Sequence, residues 1–157
     1  MQEHKTVISV VDGQGGKIGR EIISRCKKAL GDSVTIIALG TNSAATSAMV
    51  KGGADCGATG ENAILYNVRK SEIVMGAMGI IMANSMHGEL TAKMSEAIGE
   101  SDALKILIPI ERCNIRIAAP RLDTAMKSID YAVSIAAEHV EALTGKPQKK
   151  LYMLSEG

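Results

Sequence analysis

Short continuous apolar runs alternate along the chain with longer stretches in which apolar residues recur every three or four positions. A continuous run that ends at a glycine or a polar residue is typical of a parallel strand buried on both faces, whereas the longer period indicates an amphipathic helix. The apolar runs predict strands at 7–11, 34–39, 72–75 and 104–110, and a shorter one at 115–118. The periodic stretches predict helices at 18–30, 43–51, about 61–69 with Thr59 as its cap, 90–98 and 122–143.

Alternating strands and helices predict a parallel sheet with helices on both faces, because each parallel strand needs a crossover that passes over the sheet. We therefore expect an α/β protein with a single Rossmann-like, nucleotide-binding, three-layer domain at 1–147 on a mainly parallel sheet, and a C-terminal tail at 148–157. Residues 52–60 are glycine-rich and are not expected to stay regular for long. Ligands of such sheets bind at the carboxyl ends of the strands, which lie here at 12–19, 40–43, 76–79 and 111–114.

The segment between the first strand and the first helix carries the clearest sign of a ligand. It reads Asp12-Gly13-Gln14-Gly15-Gly16-Lys17-Ile18-Gly19. Such a turn lets backbone N–H groups approach a phosphate, and the helix N-terminus adds partial positive charge. The glycines form a variant of the dinucleotide fingerprint, which would have glycine or alanine at position 18. We expect a phosphate-bearing ligand at this turn, and a tight turn that binds nothing is the alternative.

The ends of other strands supply the remaining candidate ligand contacts. The second strand ends in Gly40-Thr41-Asn42-Ser43, where an NAD-binding protein places an acid for the ribose and an NADP-binding protein has an arginine nearby. These neutral groups weaken the case for NAD in its usual mode, so the cofactor stays open between NAD(P) and another nucleotide. We expect Asp12 and residues 41–43 around the ribose, with Gly76 and Gly79 at the end of the third strand.

Three other motifs are weaker. A P-loop would need glycine at position 11 and a hydroxyl residue after Lys17, and both are missing. Tyr66 and Lys70 have the Y-x-x-x-K spacing of short-chain dehydrogenases, but they precede the third strand, so we favour an exposed helix surface. Core or dimer packing is favoured over copper binding for a set of methionines spaced three or four apart: Met75, Met78, Met82 and Met86.

Candidate catalytic groups are scattered along the chain. Asp12 could brace the glycine turn, contact a ligand or hold a cation. Glu61 and Glu89 each lie beside amide or hydroxyl groups in the sequence, an arrangement typical of caps and turns. For His87, a position on a loop surface is favoured over a role as a general acid or base. The three cysteines, at 26, 56 and 113, include no C-x-x-C pair, so we expect reduced thiols and no metal site. A chemical role for Cys113 stays open.

Composition narrows the classes of partner. The net charge is +1 and the chain has 3 Tyr but no Phe or Trp, which argues against nucleic-acid binding by basic patches or stacking platforms. The uncharged stretch at 73–86 is too short and too interrupted by glycine to span a bilayer. The N-terminal segment lacks the core and cleavage site of a signal peptide. We therefore expect a cytoplasmic protein with no nucleic-acid or membrane partner.

Several blocks in order resemble an uncharacterised bacterial family of unknown function, over most of residues 5–140. The resemblance implies the fold and a bacterial origin, and it supplies no activity or catalytic residue. The first block alone also resembles Rossmann nucleotide-binding proteins. The blocks are Val11-Asp12-Gly13-Gln14-Gly15-Gly16, Gly40-Thr41-Asn42-Ser43 with Ala45-Thr46-Ser47-Ala48-Met49, Ala58-Thr59-Gly60-Glu61-Asn62, and Asn84-Ser85-Met86 with Gly88-Glu89-Leu90-Thr91.

Three functions are consistent with these features. The leading hypothesis is a nucleotide or dinucleotide binder, extending to a small NAD(P)-linked oxidoreductase that borrows substrate contacts from a second subunit and is therefore a homodimer. The alternative is a non-catalytic sensor or scaffold that uses the same glycine-rich loop. The third is a metal-assisted enzyme that acts on a phosphorylated metabolite through Asp12 or Glu61.

Overall fold

A five-stranded sheet forms the centre of the structure, a computed structural model that describes residues 3–112, 114–120 and 124–148. Its strands are β1 (Thr6–Asp12), β2 (Val34–Gly40), β3 (Cys56–Thr59), β4 (Ile73–Ala77) and β5 (Leu104–Ile108). They lie in the order β3-β2-β1-β4-β5, and every neighbouring pair is parallel. This arrangement confirms the expected parallel sheet.

Helices cover both faces of the sheet. They are α1 (Lys17–Leu30), α2 (Ser43–Lys51), α3 (Glu61–Val68), α4 (Ala92–Glu100) and α5 (Ala125–Thr144). One apolar core joins the sheet to α1, α2 and α5, and a second joins the opposite face to α3 and α4. The protein is therefore an α/β protein with a Rossmann-like, three-layer fold.

The two cores follow from the alternation of side chains along each strand. On β1, Val10 is buried in the core that contains α1, and the next residue, Val11, is buried in the core that contains α3 and α4. On α1, Ile22 and Cys26 are one turn apart and both are fully buried. Burial on both faces explains why these strands read as continuous apolar runs rather than as alternating ones.

Two predicted features at the edges of the sheet are wrong. Thr59 is not a helix cap, because the glycine-rich segment contains the four-residue strand β3, which pairs with β2 from Cys56 opposite Ile37 to Thr59 opposite Gly40. Thr59 is thus a strand residue, and Gly60 is the N-cap of α3. Residues 115–118 form no strand. The first residues predicted for the last helix, and the tail beyond residue 148, lie outside the described part of the chain.

The order of the strands determines where a crevice opens at the edge of the sheet. The chain moves outward from β1 through β2 to β3, and then crosses back to β4 on the other side of β1. The connections that leave β1 and β4 therefore run to opposite faces of the sheet and open a crevice beyond their carboxyl ends.

Candidate functional site

A cleft of about 710 Å³ opens at the carboxyl ends of β1 and β4. This volume is within the range of small-molecule sites. The glycine turn after β1 forms one wall, and segments after β4 and β5 form the rest. The lining residues are Asp12, Gly13, Gln14, Gly15, Gly16, Lys17, Ile18, Ala77, Gly79, Met82, Ser85, Met86, His87, Ile110 and Arg112.

The cleft includes only part of the predicted ligand-contact set. Residues 12–18 and Gly79 line it, as the carboxyl-end argument predicts. The remaining predicted contacts, Gly19, Gly40, Thr41, Asn42, Ser43 and Gly76, are not among its lining residues. Gly19, Gly40 and Gly76 are buried within helix or strand. Their packing alone accounts for those three glycines.

Asp12 braces the glycine turn. Its Oδ1 accepts a hydrogen bond from Gly13 N and its Oδ2 accepts one from Gly19 N, each at 2.8 Å, so the carboxylate joins the two ends of the turn. Burial raises the pKa of Asp12, although the two backbone hydrogen bonds act in the opposite direction. Of the three roles that the sequence leaves open for Asp12, these hydrogen bonds directly support the bracing of the turn.

Two neighbouring glycines in the turn serve different purposes. Gly16 has φ +70°, and a Cβ there would lie 2.7 Å from the carbonyl oxygen of Ala45, so the fold itself requires glycine. The backbone of Gly15 is not in the left-handed region, and a Cβ there would meet nothing within 4 Å, yet Gly15 lines the cleft. Neither backbone geometry nor packing explains a glycine at position 15. A ligand that approaches the backbone would.

The turn also presents unused donors to the cleft. Four N–H groups of the turn already donate hydrogen bonds. Those of residues 13 and 19 donate to Asp12, that of residue 14 donates to Glu89, and that of residue 16 donates to the carbonyl oxygen of residue 13. Within the described residues, no hydrogen bond uses the N–H groups of Gly15, Lys17 and Ile18. The latter two belong to the first turn of α1, where helical geometry provides no partner. Three backbone donors are thus available at the positive end of a helix dipole.

Cationic side chains also belong to the lining of the cleft. Lys17 and Arg112 line the cleft, and both are exposed. The positive charge of Arg112 acts to lower the pKa of the buried Asp12 carboxyl. Arg112 was not predicted as a contact, although it lies in the strand-end segment 111–114 that the sheet topology indicated. The donors and these cations together favour an anion.

Residues 82–90, which we call the cover loop, form the opposite wall. Its backbone has positive φ at Asn84 (64°), Met86 (57°) and His87 (55°). Ser85 Oγ donates to Gly79 O at 2.5 Å, and Asn84 N donates to Leu90 O at 2.8 Å, which fixes both ends of the loop. Left-handed backbone is unfavourable for residues with a Cβ, so these contacts hold the loop in a specific conformation. His87 is exposed and lines the cleft.

Glu89 ties the cover loop to the glycine turn and to the end of β2. Its Oε1 accepts hydrogen bonds from Gln14 N at 3.0 Å, Thr41 Oγ1 at 2.8 Å and Asn42 Nδ2 at 2.6 Å. Desolvation raises the pKa of Glu89, but these three hydrogen bonds outweigh it and the net pKa is lowered. The sequence lacks an acid after β2, and the fold brings one there from a segment 47 residues away.

Replacing Glu89 with alanine is expected to destabilise the protein by about 1–3 kcal/mol at neutral pH, because hydrogen bonds to a charged group are lost. Since the folded pKa lies below the ordinary value of 4.5, this contribution is complete above pH 4.5 and falls as the pH drops through the folded pKa. Urea denaturation of both proteins at pH 7 and at acid pH measures the difference. A gap that widens toward acid would contradict this role.

The comparison with known families bears on the whole chain rather than on the cleft alone. Residues 7–141 match a family described as a domain of unknown function, DUF3842. The chain belongs to the DUF3842 family. The predicted resemblance to a family of unknown function is confirmed to that extent. None of the curated proteins compared with this DUF3842 chain matches it.

Several candidates from the sequence lie outside the cleft of this DUF3842 domain. Tyr66 is 57% exposed on α3, where Lys70 Nζ donates to its hydroxyl at 2.5 Å, as expected of a helix-surface pair. Glu61 Oε2 accepts a hydrogen bond from Thr91 Oγ1 at 2.6 Å, so it joins α3 to the cap of α4. Neither pair is placed to act on a ligand in the cleft.

The sulfur-containing residues divide between core, surface and cleft. Burial raises the pKa of Cys26 to about 12, while Cys56 is exposed at the start of β3. Cys113 lies outside the described residues. Met75 is in the core on β4, so the spaced methionines form no helical stripe. Met82 and Met86 line the cleft and give it apolar surface.

Two features are absent from residues 3–112, 114–120 and 124–148. No group of three or more His, Cys, Asp or Glu side chains is arranged there to hold a metal ion. Helices in this part of the chain lack the length and apolar character needed to cross a bilayer.

Proposed function

We propose that this protein binds a nucleotide in the cleft, with the phosphate on the glycine turn at the N-terminus of α1. The main support for this proposal is the glycine at position 15, which lines the cleft although a Cβ there would meet nothing within 4 Å. In dinucleotide-binding folds, a glycine at the centre of the turn lets the backbone approach a phosphate.

The groups around Gly15 support a phosphate. The N–H groups of Lys17 and Ile18 are unused within the described residues, and the helix dipole adds positive charge there. Arg112 lines the same cleft and offers a planar donor group that matches phosphate oxygens. Both sets of donors belong to the wall formed by the turn and the end of β5.

The rest of the cleft supports a ligand with a flat or apolar part. Ile18, Met82, Met86 and Ile110 contribute apolar side chains to the lining. Methionine adapts to the shape of a ring and contacts aromatic groups favourably. A base or another ring attached to the phosphate would therefore bury its faces against these residues. The same site would serve a catalyst or a sensor, so the proposal covers the binding step.

Thermal unfolding of the purified protein with NAD, NADP, FAD, FMN, AMP, ADP, ATP, GTP and S-adenosylmethionine tests the proposal. A ligand at a hundredfold excess over its Kd stabilises the folded state by about 2.7 kcal/mol, which corresponds to roughly 5–10 °C in a protein of this size. A shift with at least one nucleotide supports the proposal. No shift with any of them would contradict it.

Changing Arg112 to glutamine is expected to weaken nucleotide binding by about tenfold, because it removes a charge-assisted hydrogen bond worth about 1.4 kcal/mol at an exposed position. Isothermal titration with the nucleotide that gives the largest thermal shift measures the effect. Arg69→Gln is the matched control, since Arg69 is exposed at the end of α3 and does not line the cleft. Equal losses in the two variants would argue against an Arg112 contact.

A further inference from the structure

The groove between the carboxyl ends of β1 and β2 is filled by the protein itself. Gln14 N, Thr41 Oγ1 and Asn42 Nδ2 all donate to one oxygen of Glu89. Asn42 Nδ2 also donates to Gln14 O at 3.0 Å, which bridges the two strand ends directly. Gln14 N, Thr41 Oγ1 and Asn42 Nδ2 are therefore used within the chain.

The cover loop also lies over the first glycine of the turn. A Cβ at Gly13 would be 2.7 Å from Met86 Sδ and 2.7 Å from Thr41 Oγ1. Glycine is thus needed at position 13 because the cover loop and the end of β2 pack directly against the turn. No space remains between Met86 and Gly13 for another group.

The open cleft lies on the other side of β1. Its lining comes from the glycine turn, from β4 and the cover loop, and from the segment after β5, and residues 40–43 after β2 are not part of it. A dinucleotide in a Rossmann fold extends across the switch point, with one nucleotide on each side of the first strand. The open cleft lies on the β4 side, and on the β2 side the Glu89 carboxylate takes the place beside Gln14, Thr41 and Asn42.

We infer that the cleft takes a mononucleotide and excludes dinucleotides, because Glu89 occupies the half-site beside β2 and Met86 packs over Gly13 between that half-site and the cleft. This inference rests on the proposed function. The phosphate of the ligand lies on Gly15 and the N-terminus of α1, and its single base or ring extends toward Ile110 and Met82. The carboxylate of Glu89 would also repel a 2′-phosphate beside β2, such as that of NADP.

Titrations of whole dinucleotides and their halves test the inference. NAD is compared with AMP and nicotinamide mononucleotide, and FAD is compared with AMP and FMN, each by isothermal titration of the wild-type protein. We expect at least one half to bind, with the corresponding dinucleotide at least tenfold weaker. A dinucleotide that binds as tightly as its halves would overturn the inference and leave nucleotide binding intact. Failure of both the halves and the dinucleotides to bind would overturn the inference, and it would overturn the proposed function as well if ADP, ATP and GTP also gave no thermal shift.

A variant with both Met86→Ala and Glu89→Ala tests whether these two side chains exclude the dinucleotide. Removing both side chains frees Gln14 N and Asn42 Nδ2, so the affinity for the dinucleotide should rise at least tenfold relative to that for its half. Glu61→Ala is the control, because its carboxylate also accepts a hydrogen bond but lies outside the cleft. An unchanged affinity ratio in a double variant that still unfolds cooperatively would overturn the assignment to these two residues.

Discussion

Gly15→Asp is expected to abolish nucleotide binding while leaving the unliganded protein folded and nearly as stable as the wild type. The new side chain enters open space, since a Cβ at Gly15 meets nothing within 4 Å. Its carboxylate would face the bound phosphate. Two like charges about 4 Å apart repel by about 4 kcal/mol at the effective dielectric constant of a protein surface, which corresponds to roughly a thousandfold loss of affinity.

Ligand-induced thermal shifts of the wild type and of this variant measure the effect. Gly99→Asp is the matched control, because a Cβ at Gly99 also meets nothing within 4 Å and Gly99 lies on α4, outside the cleft. The control should keep the full nucleotide-induced shift. A Gly15→Asp protein that is stabilised as much as the wild type would place the ligand elsewhere.

The second large effect is on stability, and it distinguishes two adjacent glycines. Gly16→Ala is expected to lower the free energy of unfolding by about 2–5 kcal/mol. About 1–2 kcal/mol comes from the left-handed backbone, and about 1–3 kcal/mol comes from the contact of the new Cβ with the carbonyl oxygen of Ala45. That oxygen belongs to the backbone of α2 and cannot move aside as a flexible side chain would.

Gly15→Ala is the matched comparison for this prediction. Its Cβ meets no neighbour within 4 Å, so we expect a change within about 0.5 kcal/mol. Urea denaturation of the three proteins gives both values from the unfolding midpoints. Equal destabilisation of the two alanine variants would mean that the fold requires glycine at both positions. It would then contradict the claim that neither backbone geometry nor packing explains Gly15.

The central strands were predictable because their signal is local. Residues 34–39 form a continuous apolar run, and β2 spans Val34–Gly40. β3 has no such signal, because Cys56, Gly57 and Thr59 are exposed at the sheet edge and only pairing with β2 makes the segment a strand. The segment 115–118 is apolar in part but pairs with no described strand. Edge strands depend on tertiary pairing, which a sequence pattern does not contain.

The same distinction applies to the candidate site. The glycine turn is a local motif, so its place at the cleft was predictable from residues 12–19. The contacts of Glu89 with Gln14 and Asn42 join segments 75 and 47 residues apart, and no local pattern indicates them. Arg112 enters the cleft only because β5 lies next to β4. The part of the site proposed to bind phosphate is therefore local, whereas the part proposed to limit ligand size comes from the tertiary fold.

The most direct test of nucleotide binding at the glycine turn is a titration of the ¹⁵N-labelled protein, followed by amide chemical shifts. The probe is the mononucleotide that gives the largest thermal shift. We predict that the largest shifts occur at the N–H groups of Gly15, Lys17 and Ile18, which are unused within the described residues and belong to residues that line the cleft. Saturable shifts confined to other regions, with these three amides unchanged, would contradict the account.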